Sequence, residues 1–175
     1  MSFQHHEYDL LTVLDAEAIG EPGQRRFRLI VGTPGDIISL WMEKEQLSAL
    51  GVAIEQLLEQ LREARLIHGA VEPEPAPSPT AVPLGGSEYL VSKMAIGFDE
   101  ERTLVALFAH DVEQEDDGEP IFAGRATLTN AKALADRIVE VVAAGRPRCP
   151  RCGAPIGPEG HVCPHENGHL PWPRE

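Results

Sequence analysis

Gln24-Arg25-Arg26-Phe27-Arg28-Leu29-Ile30-Val31, followed by Gly32-Thr33-Pro34-Gly35-Asp36 and then Ile37-Ile38-Ser39-Leu40-Trp41-Met42, reads as strand, tight turn, strand. Phe27, Leu29 and Val31 alternate onto one face, the period-two signal of a half-buried strand. The apolar run Ile37 to Met42 follows at once. The turn between them pairs proline with glycine: proline presets φ and glycine accepts a positive φ. Working outward, Gly20-Glu21-Pro22-Gly23-Gln24 repeats that chemistry on the N-terminal side. Tyr8 to Ile19 before it carries strand-like content. On the C-terminal side, Glu43 to Ala64 is expected to be a helix, because Leu47, Leu50, Ile54, Leu57, Leu58 and Leu61 recur every three or four residues. Glu43 and Glu45 stand where a helix dipole favours anions.

A second run of the same order lies beyond a proline-rich stretch, Glu72 to Pro83. Proline at that density forbids helix and removes ladder donors, which predicts an extended, semi-rigid linker. Strands are expected over Glu88 to Phe98, Thr103 to His110 and Pro120 to Leu128. A helix from Thr129 to Ala144 should bury Leu134, Ile138, Val141 and Val142, and Gly145 and Pro147 end it. The expected class is α+β. Two strand-strand-strand-helix units with mainly antiparallel sheet occupy residues 1–71 and 88–145. Residues 72–87 link them, and a small zinc-binding tail covers 146–175.

The chain of 175 residues carries a formal net charge of −13 with 42% hydrophobic and 25% charged residues. These are ordinary globular values. The acidic surface repels phosphate backbones and anionic lipid, so nucleic-acid and membrane binding are disfavoured. No stretch approaches the roughly 18 apolar residues of a membrane span, and no basic-then-apolar leader opens the chain. Three cysteines in one cluster do not make a disulfide-stapled secreted domain. The expected location is cytoplasmic.

Those three cysteines are the strongest chemical signal. Cys149-Pro150-Arg151-Cys152-Gly153 is a Cys-x-x-Cys knuckle, and His161-Val162-Cys163 returns a second ligand pair a loop later. Redox use of the pair would place it after a strand at the start of a helix; here it follows a helix and enters a Pro/Gly-rich loop. The expected cofactor is Zn2+ held by Cys149, Cys152, Cys163 and one histidine. Spacing leaves His161, His165 and His169 open for the fourth position. Three thiolates and an imidazole make a closed, structural set. The segment after Gly145 has few apolar residues, so metal must substitute for core there.

Other candidates read as ordinary surface. His5, His6 and Glu7 form a frayed polar terminus. His110-Asp111 has no nucleophile or glycine-rich loop in its neighbourhood of sequence, so no catalytic residue is assigned. Arg25, Arg26 and Arg28 make a small basic spot, read as solvated strand residues with an anion or partner contact as the sharper alternative. No Walker A, dinucleotide-binding or hydrolase motif is present.

Taken together, the chain resembles a bacterial family, the domain of unknown function family 3090, over nearly its full length. The residues carrying the resemblance are Gly20-Glu21-Pro22-Gly23-Gln24-Arg25 with Phe27, Glu43-Lys44-Glu45-Gln46, Gly145 through Gly153, and Gly160-His161-Val162-Cys163-Pro164 with Asn167-Gly168. The resemblance implies His161 as the fourth metal ligand, because positions 165 and 169 are not usually histidine in that pattern. It implies no activity. The expected function is a non-catalytic, zinc-bearing adaptor or scaffold with an unidentified protein partner. A single-strand nucleic-acid platform and a zinc-dependent enzyme are the competing classes.

Overall fold

The computed structural model describes residues 4–21, 23–77, 86–114, 118–144, 149–154, 156 and 160–164. Among the described residues, nine elements run in the order β1 (His6–Tyr8), β2 (Val13–Ile19), β3 (Arg26–Thr33), β4 (Asp36–Met42), α1 (Lys44–Glu63), β5 (Ser87–Asp99), β6 (Leu104–Asp111), β7 (Phe122–Thr127) and α2 (Leu128–Ala143). The strand-strand-strand-helix order thus occurs twice, as β2 to α1 and as β5 to α2. Both runs lie in one seven-stranded sheet of order β1-β7-β6-β5-β4-β3-β2.

The sheet is mixed, which corrects the expectation of a mainly antiparallel one. Hairpin neighbours pair antiparallel, but β4 pairs parallel with β5, and β1 pairs parallel with β7. The first parallel seam follows from the connection: a helix and a long linker between β4 and β5 carry the chain back to the end from which it started. The second comes from splitting the expected first strand. Residues 9–12 carry the chain from β1, at one end of the sheet, to β2 at the other. Leu11 N–H donates to the Arg125 carbonyl on β7 at 2.7 Å, and Thr12 N–H donates to the Gly32 carbonyl on β3 at 3.1 Å. The sheet therefore curls until its two ends are tied by two adjacent residues. Right-handed strand twist supplies the tendency to curl.

The two helices fill the concave face. Leu47, Leu50, Ile54 and Leu58 of α1 and Leu134, Ile138 and Val141 of α2 share one core cluster with Leu29, Leu40, Val105, Leu107 and Phe122 of the sheet. Leu57 and Val142, expected in the core, are only half-buried at its margin. α1 begins with a capping box between Glu43 and Gln46, and the amide of Gln46 also donates to the Ser92 carbonyl at 2.9 Å. α2 begins at the Thr127 hydroxyl, which accepts from Asn130 N–H at 3.1 Å. Each cap satisfies an otherwise orphaned helix donor.

Two turn expectations resolve differently. Gly23 takes φ +90° and Gln24 N–H reaches the Glu21 carbonyl at 3.0 Å, a closed four-residue turn; Pro22 lies outside the described residues. In the Thr33–Asp36 turn Gly35 does not take a positive φ; the unusual backbone belongs to Gly32, at φ +141°. The linker is exposed at residues 72–75 and 77, and its start is nonetheless anchored. Ala76 is buried, Glu74 N–H donates to the Thr129 carbonyl at 3.1 Å, and the Asn130 amide donates to the Glu74 carbonyl at 2.6 Å. The start of the stretch is thus bound to the head of α2. Residues 78–85 lie outside the described region.

Candidate metal centre

Locally the knuckle is a backbone device. Gly153 N–H donates to the Cys149 carbonyl at 2.9 Å, and Cys149 N–H donates to the Ala154 carbonyl at 2.8 Å. This closes a turn in which Gly153 takes φ +72°. Backbone N–H groups of Cys152 and then Arg151 point at the Cys149 sulfur and hold its thiol below the usual range, against the opposing pull of burial. A thiolate is the form that ligates metal.

Cys149, Cys152, His161 and Cys163 are brought together with one ligand atom each, all within 4.8 Å of one another. Cys149 Sγ lies 3.9 Å from Cys163 Sγ, and Cys152 Sγ lies 3.2 Å from His161 Nε2. A tetrahedral ion with metal–sulfur and metal–nitrogen distances of about 2.3 and 2.0–2.1 Å would space its ligands by roughly 3.5–3.8 Å. The donor set therefore fits, and the four residues are positioned to bind a metal ion. Cys149 and Cys163 are buried and the three thiols are free of disulfides. His161 faces the cluster with Nε2, while its Nδ1 is buried with no hydrogen-bond partner among the described residues. His165 and His169 lie outside the described residues.

The other candidates scatter. His110 stands half-buried on β6, and Asp111 is buried with its carboxylate turned to its own chain, accepting from Glu113 N–H at 2.8 Å. The three arginines divide by strand alternation. Arg26 and Arg28 lie over the Trp41 ring at 4.4 and 5.1 Å, and Arg28 is ion-paired with Glu17. Arg25 instead lines a hollow with Glu17, Arg137 and Glu140 near the end of α2. They do not form one basic spot.

Sequence reading missed a buried polar cluster. His6, read as frayed terminus, is in β1 and 6% exposed, with Nε2 2.8 Å from the Tyr89 hydroxyl. Tyr8 is buried beside it, its ring parallel to the imidazole, and its hydroxyl has no hydrogen-bond partner among the described residues. Burial, then the nearby Asp36 carboxylate, raises the phenol well above its ordinary pKa. The available signal was the alternation itself: His6 and Tyr8 point inward and Glu7 outward. The polar character of His-His-Glu obscured it.

No described helix is long and apolar enough to cross a membrane. Residues 6–163 match the family described as a protein of unknown function, DUF3090. The match covers most of the 175 residues, and the chain belongs to that family. No curated protein and no solved structure matches it.

Proposed function

From that membership and the four-donor cluster, we propose that this protein binds one zinc ion in a structural role and works as a non-catalytic adaptor through protein contacts. The carrying observation is the completeness of the donor set: three sulfurs and one imidazole nitrogen within 4.8 Å leave a tetrahedral ion no open position for water or substrate. Thiolate-rich tetrahedral sites select zinc over harder cations. Cys149, Cys152, Cys163 and His161 are the ligands in this reading. Zinc holds the tail because binding worth roughly 10–16 kcal/mol replaces a core the segment lacks. Residues 1–71, 72–87, 88–145 and 146–175 are its organising segments, and the cytoplasm is its compartment.

The surface chemistry supports protein contacts over nucleic acid, since a net charge of −13 opposes a phosphate backbone. Elemental analysis of protein purified without chelator should find one zinc per chain. Cys149→Ser and Cys152→Ser should abolish it, and His161→Ala should weaken it where His165→Ala and His169→Ala do not. Unchanged metal content in both cysteine variants sinks the site. For the adaptor role, cross-linking in native lysate should capture a defined protein with the full chain. Single-stranded oligonucleotide captured in its place would move the reading to the nucleic-acid class.

A further inference from the structure

β5 outruns its parallel neighbour. β4 pairs with Ser87 to Leu90, and β6 pairs with the strand from Val91 to Asp99. Among the described residues, no strand pairs with the other edge of Lys93 to Asp99. Alternate residues there turn an N–H and a C=O outward, and an open row of such groups is a template for one more strand. Gln46 already answers its first members. Its side-chain amide donates to the carbonyls of Val91 at 3.2 Å and Ser92 at 2.9 Å. That amide stands where the backbone N–H of an added strand would stand.

α1 runs beside this edge without closing it. A hollow of 280 Å3 separates Ala49, Leu50 and Ala53 of the helix from Lys93, Met94 and Ile96 of the strand. Lys93 and Met94 are consecutive and so point to opposite faces of the sheet. A hollow that touches both opens at the strand's edge. Met94 and Ile96 offer it apolar contact, and the small side chains of Ala49 and Ala53 leave the room. Lys93 is exposed and has no ion pair among the described residues.

We infer that this edge takes up an extended segment of a protein partner as an added strand. The inference rests on the adaptor reading and supplies the form in which its partner is held. A polypeptide backbone carries donors and acceptors at the strand repeat, and a small molecule does not. A second copy of this chain, pairing through the same edge, would bring its own α1 to the seam. The segment places two apolar residues, two apart, over Met94 and Ile96. An acidic residue next to the first of them faces Lys93, and that charge pair fixes the register.

The test is NMR on the full, metal-loaded chain with a blocked hexapeptide, acetyl-Thr-Asp-Val-Thr-Val-Thr-amide. The Met94 and Ile96 methyls should shift saturably, and hydrogen exchange should slow at alternate amides between Lys93 and Asp99. N-methylating both valines removes the donors of one peptide edge; N-methylating the aspartate and the central threonine removes those of the other. One of the two peptides should bind at least about tenfold more weakly and the other nearly as the parent, because only one edge faces β5. Asparagine in place of the aspartate should weaken binding about threefold, a difference that Lys93→Gln should erase. Ala49→Leu, which fills the hollow, should weaken every peptide, and melting curves check that both variants fold. No saturation by about 10 mM, shifts elsewhere, or equal binding by the two N-methylated peptides overturns the strand-addition site. Dimerisation of the free chain that protects the same amides overturns the partner assignment in favour of self-pairing. Failure of the adaptor reading looks different: no protein is captured from lysate, while the peptide still adds to the edge.

Discussion

Gly32 holds φ +141°, and a Cβ built there would stand 2.1 Å from the Asp36 carbonyl oxygen. The close approach is backbone against backbone, so nothing can swing aside. Gly32→Ala is expected to cost at least about 2 kcal/mol, lowering the melting temperature by roughly 4–8 °C for a chain of this size. Gly35→Ala, three residues on, meets nothing within 4 Å at an ordinary φ and should melt near the parent. Equal melting of the two variants would show the Gly32 conformation to be dispensable. His6 makes a second single-residue case. Burial holds its imidazole below the ordinary value of 6.5, with Asp36 opposing and His5 adding to the effect. The unfolded chain therefore takes up this proton at higher pH than the folded one. The stability His6 contributes is present above its ordinary pKa and is lost as pH falls through that value towards the lower folded one. Melting temperature should drop from about pH 7.5 to about pH 5.5, and His6→Gln, which keeps a polar partner for Tyr89, should flatten part of that drop. An identical pH profile in the variant would place the titration elsewhere.

At the level of elements, a missing side chain lets the two helices approach. Gly51 of α1 faces Ile138 of α2, and a Cβ there would lie 3.0 Å from Ile138 Cγ2. The helix sacrifices about 1 kcal/mol of propensity at that position for close packing. Gly51→Val should overpack the seam and destabilise by about 2 kcal/mol. Combining it with Ile138→Ala should recover part of the loss of the two singles, read by denaturant unfolding as a double-mutant cycle. Simple additivity would mean the two residues do not share that space. Gln46 shows why a short polar motif marks a fold boundary. It closes the α1 capping box and at the same time binds the backbone of β5 at Ser92. One side chain thus joins a helix start to a strand 46 residues away. The pairing of Arg26 and Arg28 over Trp41 is likewise an effect of the element: strand alternation puts both on one face of β3.

For the whole molecule, the decisive event is closure. The ends of the sheet meet at Leu11 and Thr12, and one core cluster runs through both helices and the sheet. Among the described residues, apart from Cys149 and Cys163 of the candidate metal cluster, the buried hydrophobic residues all precede position 145. The body should therefore stand without metal. Chelation is expected to release the zinc and loosen the tail while leaving most of the far-UV circular dichroism and the main melting transition. Collapse of the whole signal on chelation would mean that metal binding and core folding are one event.

Local signals determined what local physics can determine. Alternation at Phe27, Leu29 and Val31, the three- and four-residue spacing of Leu47 to Leu61, and the proline–glycine turns placed both hairpins and both helices to within a few residues. The Cys-x-x-Cys knuckle and the Cys163 that returns to it marked the cluster positioned to bind a metal ion, because ligand spacing is itself a short-range property; spacing left His161, His165 and His169 open, and the family resemblance pointed to His161. Tertiary structure decided the rest. No residue between Tyr8 and Ile19 declares a break, yet residues 9–12 leave one end of the sheet and enter the other, since only the assembled curl brings β7 and β3 within reach of both. Parallel pairing of β4 with β5 depends on where α1 lands. His6 reads as polar and exposed until Tyr89 and Tyr8 surround it. Pro73 to Ala76 reads as spacer until the head of α2 offers its carbonyl and amide to Glu74. Composition and periodicity encode which face of an element is apolar; which distant element covers that face depends on contacts far apart in sequence.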